Sequence, residues 1–160
     1  MFEPAHVPSG LWWMEHERLV GLPRPGMLGE ASTVFEYLAW HGVTQLFCLE
    51  TECDDDFDAL AGLGIGLHHV PVMDMGAPTT AQATAIGRLA SVALDSGHAV
   101  AVHCRGGLGR TGTAIAAILV WRGATAETAI SRVRAAQPYA VQSLVQHQFI
   151  HEFAEHLRRP

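Results

Sequence analysis

The chain contains no lysine. All ten of its basic residues are arginines, set against 16 acidic residues for a net charge of −6. Charge of either sign is scarce, at 16% of 160 residues. A nucleic-acid binder carries a basic surplus, and this composition has none, so no nucleic-acid partner is expected. A Walker loop ends in Gly-Lys-Ser/Thr, and no such ending is present. Cysteine is equally sparse. Cys48, Cys53 and Cys104 do not make a disulfide framework and are expected as free thiols in a reducing cytoplasm. Long hydrophobic runs are missing too. None approaches the roughly 18 residues needed to span a bilayer, and no signal peptide is expected ahead of the domain.

What is present is a chain that is 49% apolar and long enough to bury a full core. It reads as one domain over residues 1–160, soluble and monomeric, with no membrane partner. Residues 1–10, with Pro4, Pro8 and Gly10, read as an irregular lead-in. Leu11-Trp12-Trp13-Met14 and Arg18-Leu19-Val20-Gly21 look like two short strands or a hairpin. Val34, Phe35, Leu38 and Ala39 recur at helical spacing between Glu30 and His41, and Gly42 ends that helix. Thr44 to Leu49 reads as a buried strand. Asp54, Asp55 and Asp56 belong to an acidic loop, read as solvated rather than metal-binding, that leads into a turn of helix at Phe57–Ala61.

Gly66 to Val72 reads as another strand, with His68 and His69 packed inside it. A loop over residues 73–78 precedes a helix from Thr79-Thr80 to about Ser96. A strand follows at 98–103, then helices at 109–122, 125–136 and 141–157. Alternating strands and helices predict an α/β fold: a three-layer α-β-α sandwich with a central, mostly parallel sheet of four to five strands. Sites in such sheets lie at the C-terminal strand ends, where Cys104 falls.

The stretch His103-Cys104-Arg105-Gly106-Gly107-Leu108-Gly109-Arg110-Thr111 joins the apolar strand Ala99-Val100-Ala101-Val102 to the helix that follows. Gly106, Gly107 and Gly109 let the backbone curl until successive N–H groups point inward, which makes an anion nest. The next helix adds the partial positive charge of its N-terminus. With Arg105, Leu108 and Arg110, these residues form a loop suited to phosphate. Arg110 offers two prongs to two phosphate oxygens. The same donors favour the thiolate of Cys104, which can attack a bound phosphorus in line. Thr111 can donate its hydroxyl to the sulfur, and His103 is expected to orient the loop by hydrogen bonds. Gly107-x-Gly109-x-x-Gly112 also matches a dinucleotide fingerprint superficially, but the spacing alone is a weak signal.

This segment resembles the signature loop of the cysteine-dependent protein tyrosine phosphatase superfamily. The short chain is similar to its dual-specificity branch, and most similar to the kinase-associated phosphatase type. That likeness rests on the loop, on His68-His69-Val70-Pro71-x-x-Asp74-x-Gly76-x-Pro78, and on Val141-Gln142-Ser143-x-x-Gln146 followed by Ile150-His151-Glu152-Phe153. Small atypical dual-specificity phosphatases are also similar. The resemblance implies a phosphotyrosine phosphatase-like fold and a metal-independent phosphomonoester hydrolase with no cofactor. It carries the general-acid role onto Asp74, which also suits a carboxyl on a Gly/Pro loop above the nest. The rival donors are Asp54, Asp55, Asp56 and Asp58.

The likeness further implies that Gln142 positions the hydrolytic water, with Gln146 supporting it. Cys48 matches a cysteine that pairs with the nucleophile in some relatives, and Cys53 is the alternative partner. Arg105 follows the nucleophile and would favour acidic substrates. A zinc reading of His147, His151 and Glu155 is set aside, since the chemistry needs no metal. The implied substrate is a phosphorylated protein bearing phosphotyrosine or phosphoserine/threonine, with a kinase as a further partner. The alternatives are non-protein phosphates (a phosphoinositide, a sugar phosphate, an RNA 5′ end), sulfur transfer or arsenate reduction, and a phosphoprotein-binding pseudophosphatase.

Overall fold

A computed structural model describes residues 3–160 of the chain. Side chains that alternate along each strand are sorted into two cores, one on each face of a single sheet. Val100 and Val102 of β5 (Ala99–His103) face one core with Phe47 and Leu49, while Ala99 and Ala101 face the other with Val20, Leu22 and Leu46. Strands β1 (Trp12–Met14), β2 (Leu19–Leu22), β3 (Val43–Cys48) and β4 (Gly66–His69) complete the sheet in the order β1-β2-β5-β3-β4. Only β1 runs antiparallel, against β2; the other pairings are parallel.

Helices α1 (Ala31–Trp40) and α2 (Phe57–Gly62) cover the β4–β3–β5–β2 side with the smaller core. Helices α3 (Thr80–Asp95), α4 (Gly109–Trp121), α5 (Ala126–Ala136) and α6 (Leu144–Arg158) cover the opposite face. The result is the expected three-layer α-β-α sandwich. Helix α4 is buried from Gly109 to Val120, as its nearly continuous apolar sequence requires. Its position under the sheet fixes the loop that precedes it.

Three expectations shift at element ends. The strand foreseen over Gly66–Val72 stops at His69. Val70 and Val72 still donate to the carbonyls of Cys48 and Leu49, at 2.9 and 3.0 Å. Pro71 between them has no N–H, so a regular ladder cannot continue. The last helix begins at Leu144 rather than 141, because Val141 takes a positive φ of 59° and Ser143 caps the helix in a capping box with Gln146. The early hairpin is closed by a 3₁₀ turn over Glu15–Glu17 and a left-handed Arg18. Residues 3–10 of the lead-in form no helix or strand, and Met1 and Phe2 lie outside the described residues.

The C-terminal ends of β2, β5 and β3 converge, placing Leu22–Arg24, Cys104 and Leu49–Glu50 together. Trp12 ties the edge of the sheet to this end. Its ring lies against Gly21, where a Cβ would fall 2.3 Å from it, and its Nε1–H donates to the Gly107 carbonyl at 2.8 Å. Trp12→Phe keeps the ring and orphans that buried carbonyl. It is expected to lower the unfolding free energy by about 1–3 kcal/mol in urea titration. An unchanged midpoint would show that the loop does not depend on this anchor.

Candidate active site

The loop after β5 turns sharply back because Gly107 adopts φ +74°. A side chain there is barred twice, since a Cβ would also lie 2.4 Å from the Leu22 backbone carbon. The turn brings the Gly107 N–H to 3.3 Å from Cys104 Sγ, and the Thr111 hydroxyl donates to the same sulfur at 3.1 Å. Cys104 is only 3% exposed and lies at the floor of a cleft of about 310 Å³. Arg105, Gly106, Leu108, Gly109, Arg110, Asp74 and Gln142 line that cleft, with Met27 and Met75 at its side. The loop glycines Gly106, Gly107 and Gly109 thus lie at the head of α4 beside the Cys104 sulfur.

Arg110 is buried at 7% exposure, and its Nη1–H donates to the Val72 carbonyl at 3.0 Å. That bond ties the loop to the 70–76 segment. Asp74 projects from this segment with its side chain 83% exposed, and its Oδ1 is 3.7 Å from Arg110 Nη2. The carboxyl thus stands beside the cleft without being packed. Asp54 and Asp58, rivals for the acid role, are exposed and line no part of the cleft. Asp56 is the N-cap of α2 and accepts from the Ala59 N–H at 3.0 Å.

Gln142 and Gln146 occupy different positions. Gln142 is exposed, and its Oε1 is 2.6 Å from where a Cβ on Gly109 would stand, so its amide reaches over the loop. Gln146 is fully buried. Its Oε1 accepts from the N–H groups of Gln142 and Ser143 at 2.8 and 3.0 Å, and its Nε2–H donates to the Gly76 carbonyl at 3.0 Å. Ser143 adds a bond from its hydroxyl to the Met75 carbonyl at 2.7 Å. The start of α6 therefore clamps the Asp74 loop and aims Gln142 with one side chain.

The acidic loop departs from the sequence reading. Asp55 is not solvated: its side chain is 5% exposed and its Oδ2 lies 2.5 Å from His103 Nε2. Glu50, also buried, takes a two-pronged contact from Arg24, whose Nε–H donates at 2.9 and 3.1 Å. The Arg24 backbone N–H donates to the Arg105 carbonyl at 3.0 Å. His103 is fully buried, with Nδ1 3.3 Å from the Cys104 carbonyl. Trp12, Arg24 and Glu50 were not foreseen in the site, and Asp55, a rival for the acid role, is instead bonded to His103. They lie far along the chain from the loop, and no local spacing marks them.

Cys48 is paired in register with His103 on the neighbouring strand. Its sulfur comes within 4.8 Å of Cys53 Sγ and an Asp55 oxygen, and Cys53 Sγ is 3.5 Å from Asp55 Oδ2. Burial is the chief cause that pushes both thiols up, Cys48 most strongly, so neither is poised as a thiolate. Cys104 Sγ is instead engaged by Gly107 and Thr111. Cys48, Glu50 and His103 also bring ligand-type atoms within 4.8 Å of one another. The Glu50 and Asp55 carboxylates are already taken by Arg24 and His103, so the cluster reads as a hydrogen-bonded network. On α6, the His147 and His151 rings lie 5.0 Å apart, tilted by 39°. His151 turns to Glu127 and Glu155 to Arg159.

A buried thiol under a backbone nest, at the end of a parallel strand and the head of a buried helix, defines the protein tyrosine phosphatase-like class in its dual-specificity form. A model of the family described as "Polymorphic toxin system, DSP-PTPase phosphatase" matches residues 20–124, and the chain belongs to that family. Cyclin-dependent kinase inhibitor 3 of Sus scrofa is 33% identical over 97 residues, which are 59% of this chain and 46% of that protein. The chain thus spans about half the length of that curated relative. A crystal structure of kinase associated phosphatase, with serine for its catalytic-site cysteine, superposes with TM-score 0.80 at 24% identity, over 97% of this chain and 99% of that one. Tk-PTP in its active form gives 0.79 at 26% identity, over 93% and 99%.

Gln146→Leu would remove three hydrogen bonds and leave the partly buried backbone groups of Gln142, Ser143 and Gly76 unpaired. It is expected to cost about 2–4 kcal/mol in denaturant unfolding and to loosen the Asp74 loop to amide exchange more than β5. Uniform loss of protection across both would show that Gln146 is ordinary core.

Proposed function

We propose that the chain is a dual-specificity protein phosphatase that hydrolyses phosphomonoesters through a cysteinyl-phosphate intermediate. The observation that carries this reading is the Cys104 sulfur, buried at the cleft floor and hydrogen-bonded by Gly107 N–H and Thr111 Oγ1. A phosphoryl group seated on the backbone N–H groups of residues 105–110, with Arg110 across two of its oxygens, would lie directly above that sulfur. The thiolate attacks phosphorus, the P–S bond forms, and the bond to the leaving oxygen breaks. Asp74 gives its proton to that oxygen.

In the second half, water lies between the Asp74 carboxylate and the Gln142 amide. Asp74 takes a proton from the water as the oxygen attacks phosphorus. The P–S bond breaks, the electron pair returns to sulfur, and the Thr111 hydroxyl stabilises the thiolate. Inorganic phosphate leaves. Every group in this scheme belongs to the chain. The charge of the moving phosphoryl group stays on its equatorial oxygens, which the nest faces throughout.

Met27, Met75, Leu108 and Arg105 shape the mouth. An open cleft of this size suits phosphotyrosine and phosphoserine/threonine alike, and a phosphorylated protein is the substrate read from it. A kinase as a further partner rests only on the partial likeness to cyclin-dependent kinase inhibitor 3. Among the described residues no helix is long and apolar enough to cross a membrane. The three free thiols suit a reducing cytoplasm.

Cys104→Ser is expected to abolish phosphate release from p-nitrophenyl phosphate, and retained turnover would overturn the reading. Asp74→Ala should lower kcat on a phosphotyrosine peptide by about 10²–10⁴ with a lesser effect on KM. It should also retain bound phosphopeptide as a trap. Equal turnover by wild type and Asp74→Ala across leaving groups of different basicity would remove Asp74 from the acid role. Arg105→Ala should cost more on acidic than on neutral phosphopeptides, and equal losses would remove Arg105 from specificity.

A further inference from the structure

A second cavity, of about 210 Å³, adjoins the segment that follows β2. Val7 and Pro8 of the lead-in, with Leu11, meet Pro23, Leu28 and Val34 around it. The lead-in forms no helix or strand, yet it is fixed here. Gly10 takes φ +83°, and a Cβ on it would stand 2.8 Å from Pro23 Cγ and 3.5 Å from Leu28 Cδ1. Only glycine lets the chain turn this close to the 23–28 segment.

The cavity is joined to the catalytic cleft by chain and by contact. Met27 lines the cleft, and its neighbours Gly26 and Leu28 line the cavity. Consecutive Cα atoms lie about 3.8 Å apart, so the width of one loop separates the two recesses. Met27 is 42% and Leu28 59% exposed, which leaves an apolar crest between them. Leu22 and Pro23, also on the cavity wall, carry the backbone against which Gly107 turns. The next residue, Arg24, donates its N–H to the Arg105 carbonyl at 3.0 Å.

Size and charge decide what fits. Sites for cofactors and drug-sized ligands run to about 300–1,000 Å³, so this cavity suits one side chain rather than a whole small molecule. Arg24 lines it but turns its guanidinium to Glu50. Glu30 lines it too, at the N-cap of α1, and repels an acidic occupant. Most of the remaining wall is apolar, and an apolar side chain seated there takes both surfaces out of water.

We propose that this cavity is a substrate subsite that takes one apolar side chain, leucine-like or larger, close in sequence to the phosphorylated residue. The proposal rests on the reading of the chain as a protein phosphatase and names its substrate more closely. The phosphate seats on the Cys104 loop, the peptide crosses Met27 and Leu28, and the apolar side chain enters the cavity. An extended peptide advances about 3.3 Å per residue, which sets the anchor within about three residues of the phosphate. Arg105 lines the cleft and not this cavity, so an acidic preference and an apolar one belong to different substrate positions.

The test is a panel of phosphotyrosine peptides in a serine and glycine background. Leucine, serine or glutamate is placed singly at each of the three positions on either side. In the wild type, leucine at one position is expected to raise kcat/KM roughly tenfold to a hundredfold over serine, the worth of burying one such side chain. Glutamate at that position should give no gain. The leucine gain should shrink to within about threefold in Leu28→Asp, which sets a charge on the wall, and in Gly29→Leu, which fills the space. A Cβ at Gly29 meets nothing within 4 Å, so the added side chain enters without a clash. The gain is a ratio within one enzyme, so a poorly folded variant lowers both rates and leaves it intact.

A flat wild-type panel overturns the proposal, and so does a leucine gain that survives both variants. A flat panel beside faster hydrolysis of a dioctanoyl phosphoinositide than of its headgroup alone gives the cavity to an acyl chain and overturns it as well. Binding of the same panel to Cys104→Ser separates the subsite from the chemistry. Leucine-dependent binding without turnover by the wild type would sink the phosphatase reading and leave the subsite standing. Neither turnover nor leucine-dependent binding would remove both.

Discussion

A thiol at the head of a buried helix can become a nucleophile only if its surroundings supply donors without filling the space above it. The loop between β5 and α4 meets that constraint with a backbone N–H and the Thr111 hydroxyl. Gly107 at φ +74° turns the chain so that its own N–H faces the sulfur, and no side chain larger than hydrogen fits beside Leu22 and Pro23. A nest of amides has little intrinsic stability, since like-oriented dipoles repel when no anion is bound. The protein therefore grips the loop from outside: Trp12 holds the Gly107 carbonyl, Arg24 the Arg105 carbonyl, and His103 the Cys104 carbonyl.

These grips come from three different parts of the chain, and they explain why the sheet is built as it is. The antiparallel β1 delivers Trp12, the end of β2 delivers Arg24, and the loop after β3 delivers Glu50 and Asp55. On the opposite side of the cleft, Gln146 from α6 links the Asp74 loop to the segment carrying Gln142. The Asp74 loop and the Gln142 backbone are thus joined through one buried amide. The backbone around Cys104 is held by carbonyl contacts, whereas Asp74 stands exposed on a loop pinned at its base by Arg110 and Gln146. The proposed reaction asks for that difference, since its thiolate must leave after attacking while its acid must meet varied leaving groups.

Much of this was legible in the sequence, because local rules decide it. The order of strands and helices follows from apolar periodicity, and the positions of Cys104, Arg110 and Thr111 follow from spacing within one turn. The errors lie where tertiary contacts override local chemistry. Asp54, Asp55 and Asp56 look alike in sequence as a solvated run, yet one caps a helix, one is exposed, and Asp55 is buried on His103. Gln146 was read as supporting Gln142, and its complete burial and its bond to the Gly76 carbonyl are tertiary facts that no spacing shows. The nearness of the Cys48 sulfur to Cys53 and Asp55 is likewise a tertiary contact that local spacing does not mark.

By itself the sequence determined the α/β sandwich, the glycine-rich loop between β5 and α4, and the cysteine and arginine at its two ends. Periodicity, glycine tolerance and strand-to-helix junctions are properties of neighbouring residues. Only the tertiary structure decided which carbonyls hold that loop, which carboxylate reaches His103, and how α6 is tied to the Asp74 segment. Those contacts join residues distant in the chain, and their strength depends on burial, which removes competing water and leaves each donor the acceptor that the fold places before it.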